Sequence, residues 1–244
     1  MSISIYAINL DRSADRWRAL AESAERLHLP LVRVPGIDGT KTPVEERIDC
    51  DASAFARNNG RTILPGEYGC YRSHLKALSA FLETGEPAAV IVEDDIELTA
   101  DLVSRAEAAV DALPDADAIK LFNHRIVGFR PSASSSAGDE IGRTTHGPQG
   151  SAACYAVTRA GAARLIDGLK VMQYPWDIAL ERGWAFGGRI YTTRRDVAAP
   201  KRDSTTIATR SAYRAAKFPW WRRLRTHGIR IIETLRRIAY AFGR

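Results

Sequence analysis

The run Ala88-Ala89-Val90-Ile91-Val92 passes without a break into Glu93-Asp94-Asp95. A bounded apolar run of this length predicts a strand buried on both faces, as in the interior of a parallel sheet. Three carboxylates stand where that strand surfaces. Two unit charges 4 Å apart repel by about 4 kcal/mol at an effective dielectric near 20, so the crowding calls for compensation. A divalent cation with oxygen ligands supplies it. In open α/β sheets, ligands collect at the carboxyl ends of strands, where these acids are predicted to lie. Strand alternation sends Glu93 and Asp95 to one face and Asp94 to the other. Glu93 and Asp95 are therefore a candidate clamp for a metal or a metal-bound diphosphate. The alternative is an acidic turn that opens the following helix, where carboxylates suit the dipole.

Outward from this strand, elements alternate. Ile3 to Leu10 predicts a first strand, and Asp11 or Ser13 can cap a helix reaching about Leu27. Leu31 to Val34 predicts a short strand stopped by Pro35-Gly36, and residues 38–65 are polar with at most short helices. Gly66 to Leu82 predicts a helix. Beyond the acids, Thr99 or Asp101 starts another, ending near Leu113-Pro114, before a strand over Ala118 to Phe122. Between Gly128 and Gly150 the composition turns to Ser, Gly, Pro and Thr, predicting a mobile, lid-like loop or an irregular hairpin. A strand over Ala152 to Val157, a helix capped by Thr158, a short helix at Trp176 to Arg182 and a strand at Arg189 to Thr193 complete the pattern. Residues 196–211 are polar and are expected to be flexible. The alternation predicts an α/β domain with a mostly parallel central sheet.

The chain has 244 residues and 45% hydrophobic content, enough for one α/β domain with an appendage. Cys50, Cys70 and Cys154 are widely spaced and give no sign of a disulfide framework or a zinc site, so a reducing compartment is expected. No stretch approaches the roughly 20 apolar residues of a membrane span, and Met1 to Leu10 does not read as a signal sequence. Charge is concentrated at one end. Eight basic residues against Glu233 put +7 on residues 217–244, leaving about −1 for residues 1–216.

Several segments, taken in order, resemble glycosyltransferase family 25, the lipooligosaccharide and collagen galactosyltransferase-like enzymes. They are Ile8-Asn9-Leu10-Asp11-Arg12 with Asp15-Arg16, Gly66-Glu67-Tyr68-Gly69-Cys70 with Ser73-His74, and Glu93-Asp94-Asp95. Gly150 to Tyr155, Pro175-Trp176-Asp177, and Pro200 with Ser204 to Ile207 continue the series. The resemblance spans roughly residues 3–207. It implies a glycosyltransferase A-type nucleotide-sugar-binding fold, a UDP-hexose donor and a divalent metal, Mn²⁺ or Mg²⁺, on an acidic motif. Here that motif is Glu-Asp-Asp rather than the commoner Asp-x-Asp, which makes Asp95 the expected direct ligand. Glu93 is then a second metal ligand or, with Asp94, a group touching the donor.

The resemblance gives the remaining residues candidate roles, each beside a structural alternative. Arg12 and Arg16, four apart, can hold a diphosphate bidentately, or pair with Asp11 and Asp15 at the surface. Asn9 can bond the base or ribose. Ser73 and His74 can meet sugar or phosphate oxygens, while a lone helical His is more often structural. Glu67 can serve the helix dipole, and Cys70 reads as a small core residue. His124 and His146 border the Ser/Gly segment, within reach of a leaving diphosphate. Asp177, after Tyr174-Pro175-Trp176, can accept the proton of an acceptor hydroxyl or can act as a helix cap.

In the tail, Leu224, Ile231, Leu235, Ile238 and Phe242 recur at helical spacing among arginines, behind Trp220-Trp221. A basic amphipathic helix with interfacial aromatics suits an anionic membrane surface; the alternative is packing on the body or a second copy. No reader module for nucleic acid is present, and an apolar stripe is unnecessary for phosphate binding. The expected organisation is a family 25-like catalytic domain over 1–212 and a tail over 213–244. The expected protein is a metal-dependent, inverting transferase. It moves a hexose, galactose foremost, from a UDP-sugar to a lipopolysaccharide- or lipooligosaccharide-type acceptor. It is expected in the cytoplasm, peripheral to the inner face of the membrane. A non-catalytic, membrane-associated nucleotide-sugar-binding protein is the alternative, and a nucleotidyltransferase using the same acids a weaker one.

Overall fold

A computed structural model of the chain describes residues 3–201 and 210–243; Ser204 to Ile207 and Arg244 lie outside the described residues. The order begins β1 (Ser4–Asn9), α1 (Ala14–Arg26), β2 (Leu31–Pro35), α2 (Ala52–Asn59), α3 (Pro65–Leu82) and β3 (Ala88–Glu93). It continues with β4 (Ile96–Glu97), α4 (Leu102–Ala112), β5 (Ala118–Lys120), β6 (Val127–Ser134), β7 (Glu140–His146) and β8 (Cys154–Thr158). The last elements are α5 (Arg159–Gly168), α6 (Trp176–Glu181), α7 (Gly183–Phe186), β9 (Ile190–Thr193), β10 (Ala199–Pro200), α8 (Arg210–Ala216) and α9 (Leu224–Ala241).

Among the described residues, eight strands form one sheet in the order β2-β1-β3-β8-β5-β9-β7-β6. Six of them point one way. β8 runs against both β3 and β5, and β7 runs against both β9 and β6. Because each reversed strand lies between two others, the sheet has parallel pairings only at β1–β2, β1–β3 and β5–β9. The predicted predominance of one direction thus coexists with a mixed hydrogen-bond ladder.

Side-chain alternation splits the core between the two sheet faces. Tyr6, Ile8, Ala89, Ile91, Tyr155 and Val157 pack under α3, α5 and α6, against residues such as Leu75, Leu78 and Trp176. Ile5, Ala7, Val90, Val92, Cys154 and Ala156 pack under α1 and α4, against Leu20, Leu102 and Ala106. Burying a Val, Leu, Ile or Phe side chain stabilises by roughly 1.5–3 kcal/mol, so this double-faced burial is the main force holding the strands at the sheet centre.

Local chemistry explains where the helices depart from expectation. Residues 38–65 contain a full helix, α2: Asp51 accepts the Ala54 N–H, Phe55 is buried, and Gly60 closes the end in the left-handed region at φ +69°. Thr158 caps α5 by accepting from Gly161 N at 3.1 Å. Neither Ser13, the residue ahead of α1, nor Asp101, the residue ahead of α4, makes a side-chain cap bond. Residues 128–150 are a hairpin, not a lid-like loop: β6 and β7 pair, with a register shift between Pro131 and Ala133.

The boundary expected at 212/213 falls inside α8, and α9 is docked on the body. Thr226 Oγ1 donates to Arg57 O at 2.9 Å, Arg237 Nη2 to Glu181 at 2.9 Å, and Tyr240 OH to Gly188 O at 2.7 Å. These contacts use the polar side of the helix. The apolar side, with Leu224, Ile231, Leu235 and Phe242, faces outward beside Trp220 and Trp221, each residue between 51% and 65% exposed. No helix among the described residues is long and apolar enough to cross a membrane.

Candidate active site

The carboxyl ends of β1 and β3 meet the start of β8: Glu93 N donates to Ala153 O at 2.9 Å. A cavity of about 530 Å³ opens there, within the roughly 300–1,000 Å³ range of small-molecule sites. Its wall includes Glu93, Asp95, Asp177, Trp176, Arg61 and Lys201. A smaller cleft of about 60 Å³ lies on the other side of Glu93, between the end of β1 and residues 37–39. That cleft depends on a close approach of two backbones. A Cβ at Gly69 would stand 2.4 Å from Ile37 O, so α3 admits the 37–39 segment only with glycine at that position.

The end of β3 separates its three acids. Glu93 and Asp95 line the large cavity, whereas Asp94 turns towards β1. Asp94 accepts from Asn9 Nδ2 at 2.7 Å and from Arg16 Nη1 at 3.1 Å. Among the described residues, no such cation contacts Asp95. Its Oδ1 is buried with no hydrogen-bond partner among the described residues, and burial together with Glu93 and Asp94 pushes its carboxyl up to about 6, against the pull of Arg16. An orphaned buried carboxylate oxygen beside a second carboxylate fits a hard divalent cation, whose ligands are oxygens. Asp95 and Glu93 are the residues that can hold it.

Asp177 sits in the first turn of α6, half-buried in the cavity wall. Burial and the nearby Glu181 push its carboxyl up to about 6, opposed by Lys120 and the Ile178 backbone N–H. A carboxylate ionised at neutral pH, with enough basicity to take a proton, suits general-base work. The cap role considered for Asp177 does not occur: Pro175 is the residue ahead of α6, and no side-chain cap bond is present.

Four residues expected to touch the donor also make contacts inside the protein, and two of them, Ser73 and Asp94, line the smaller cleft. Asn9 is 1% exposed; beyond its bond to Asp94, Nδ2 donates to Ser13 O and Oδ1 accepts from Arg33 at 2.7 and 3.1 Å. Ser73 Oγ accepts from Ile37 N and donates to Gly69 O, both at 2.7 Å, tying the cleft segment to α3. Both oxygens of Asp94 serve Asn9 and Arg16. Arg16 is thereby held by an acid 78 residues away, not by Asp15. Arg12 remains on the cleft wall, paired with Asp38 rather than Asp11 or Asp15. That hydrogen bond, with Thr40, holds the Asp38 carboxyl down at about 2. These contacts have one cause: the chain crossing at the end of β1 brings partners that local spacing does not reveal.

His74 is fully buried on α3, with Nδ1 3.2 Å from Tyr155 OH, Nε2 3.4 Å from Glu93 Oε1, and its ring stacked 5.0 Å from Trp176. Glu67 is paired with Arg61 and also accepts from Leu64 N at 3.1 Å, which caps α3. His124 lines the large cavity; His146 lines neither cavity and bonds Thr145 at 2.9 Å.

Sequence reasoning missed Arg61, Lys201 and Tyr213 of the cavity wall, and the buried network behind it. Glu181, 4% exposed, accepts from Lys120 Nζ at 2.8 Å, Arg237 Nη2 at 2.9 Å, Gln149 N at 3.0 Å and Gly150 N at 3.1 Å. Burial alone would raise this carboxyl, but Lys120 and Arg237 outweigh it and hold Glu181 below its ordinary value. The network ties α9 to the segment leading into Ser151 and Ala152 of the cavity wall. A lysine in the apolar run Ala118 to Phe122 was the one available signal, since buried lysines require a partner.

No curated protein sequence matches the chain. The sequence model of glycosyltransferase family 25 (LPS biosynthesis protein) matches residues 2–180, which carry the Glu93-Asp94-Asp95 cluster and Asp177. The chain therefore belongs to glycosyltransferase family 25, the glycosyltransferases of lipopolysaccharide biosynthesis.

Proposed function

We propose that the protein transfers a hexose, galactose foremost, from a UDP-sugar to a lipopolysaccharide- or lipooligosaccharide-type saccharide acceptor, with inversion and in a glycosyltransferase A-type active site. One observation carries this reading: Glu93, Asp95 and Asp177 share a single cavity, and Asp95 Oδ1 is buried there without a partner among the described residues. A Mn²⁺ or Mg²⁺ ion held by Asp95 and Glu93 supplies Lewis-acid stabilisation of charge on the departing diphosphate. Asp177 takes the proton of the acceptor hydroxyl as that oxygen bonds to the anomeric carbon. The bond from that carbon to the diphosphate oxygen breaks, and UDP leaves. Lys201 on the same wall is a cation that can meet the diphosphate, while Arg61 there is paired with Glu67.

The test is release of UDP from a panel of nucleotide sugars, with and without Mn²⁺. Asp95→Asn is expected to lower metal-dependent turnover by about 10²–10³, the scale of losing one electrostatic contact to a developing anion. Turnover equal to that of the parent chain would remove the metal assignment. Release of pyrophosphate from a nucleoside triphosphate would remove the transferase reading itself.

The outward apolar side of α9 supports the reading that the enzyme attaches to an anionic lipid surface, at the inner face of the cytoplasmic membrane. Arg222, Arg225, Arg230 and Arg236 are exposed beside that side, whereas Glu233 turns inward to Arg182. Basic residues at such a surface contribute about 1 kcal/mol each, and salt screens them. Co-sedimentation with phosphatidylglycerol-containing vesicles is expected, with much weaker binding to phosphatidylcholine alone. Leu224→Ser, Ile231→Ser and Leu235→Ser combined are expected to abolish it while leaving the circular dichroism unchanged. Undiminished binding by a folded triple variant excludes α9 as the attachment.

A further inference from the structure

We propose that Cys70, His74 and Glu93 form a second cation site, selective for a zinc-class divalent ion and distinct in chemistry from the all-oxygen site at Asp95. Cys70 and His74 lie four residues apart on one face of α3, and Glu93 faces them from the end of β3. One ligand atom from each falls within 4.8 Å of the other two. The His74 Nε2–Glu93 Oε1 separation of 3.4 Å already matches the edge of a tetrahedron built on metal–ligand bonds of about 2.0–2.2 Å. Only the sulfur has to move in.

The imidazole is pre-oriented for ligation. Tyr155 OH holds Nδ1 at 3.2 Å, and stacking on Trp176 fixes the ring plane, so Nε2 is the nitrogen presented to Glu93 and Cys70. Metal-bound histidines are commonly held in this way through the other ring nitrogen. One sulfur, one nitrogen and one oxygen suit a borderline ion such as Zn²⁺, whereas Mn²⁺ and Mg²⁺ favour oxygen alone. Cys70 and Glu93 line both cavities, leaving a way in and a fourth position for water or substrate. On binding, the Cys70 thiol loses its proton to solvent and the thiolate bonds the ion. Glu93 is common to both sites, so a zinc-class ion withdraws it from Asp95 and is expected to inhibit transfer. That consequence alone rests on the proposed function.

Cobalt is the spectroscopic probe. Titrating the full chain with Co²⁺ under reducing conditions is expected to give one equivalent of a tetrahedral visible spectrum with a thiolate-to-cobalt band in the near ultraviolet, both displaced by Zn²⁺. Cys70→Ser is expected to lose the ultraviolet band and to weaken binding by about tenfold or more. Asp95→Asn is expected to keep the band, which separates this site from the donor site. Without any variant, Zn²⁺ is expected to protect Cys70 from iodoacetamide while leaving Cys50 labelling unchanged, read by peptide mass spectrometry. Absence of the ultraviolet band from the parent chain overturns the proposal. So does its persistence in Cys70→Ser, or alkylation of Cys70 indifferent to Zn²⁺.

Discussion

Asparagine at position 177 is expected to lower kcat by about 10²–10⁴, the usual contribution of a positioned general base, and at the same time to make the protein more stable at neutral pH. The two effects have one source. Asp177 is held up to about 6 by burial and by Glu181. In the unfolded chain the same carboxyl titrates near 3.8. Between those values the folded protein binds the extra proton, so stability declines as pH rises through that window. Above pH 6 the folded state bears the full cost of the buried charge, on the order of 2–3 kcal/mol. Asparagine removes that cost, so its advantage in Tm is expected to be largest above pH 6 and to shrink towards pH 4. The same titration places an acid limb near pH 6 in the kcat/KM profile of the parent enzyme. Parent-level kcat in Asp177→Asn, or an unchanged acid limb, rules out the carboxylate as the base. A lower Tm at neutral pH contradicts the electrostatic account.

Alanine at position 181 is expected to have the largest effect on stability. Glu181 is the common acceptor for two buried cations, Lys120 and Arg237, and two backbone N–H groups. Removing one member of a buried ion pair strands its partner, at about 3–5 kcal/mol. For a chain of this length that is a fall in Tm of about 6–20 °C. The exposed Arg194–Glu140 pair is the internal control, and Glu140→Ala is expected to change stability by at most about 1 kcal/mol. Urea unfolding of both variants measures the contrast; equal losses refute the assigned role of burial. Because Gln149 and Gly150 lead into the cavity wall, Glu181→Ala is also expected to raise KM at temperatures where the protein stays folded.

The same distinction between neighbours along the chain and neighbours across it separates what the sequence discloses from what it conceals. The run Ala88 to Val92 announces its strand because burial on both faces leaves no polar position. Yet Cys154 to Thr158 looks much the same and runs the opposite way. A strand at the sheet centre is apolar whatever its direction, so composition records burial and not polarity. The Thr158 cap is legible because its partner, Gly161 N, is three residues away. The long-range contacts of Asn9, Ser73 and Asp94 are not legible because those partners are 85, 36 and 78–85 residues away. Polar residues of these types serve ligands and chain crossings equally well, and only the crossing tells which.

The tail shows the limit most clearly. Its periodicity specifies an amphipathic helix, but an isolated helix would turn the apolar side inward. The opposite arises because Arg237, Glu233, Thr226 and Tyr240 find Glu181, Arg182, Arg57 and Gly188 on the body. By itself, then, the sequence settled the alternating α/β elements, the acidic cluster ending the central strand and the membership of glycosyltransferase family 25. Short-range periodicity and contiguous motifs are enough for those. The tertiary structure alone decided strand direction, the distant partners of Asn9, Arg16 and Asp94 and which side of α9 meets solvent, because each depends on contacts between residues far apart in the chain.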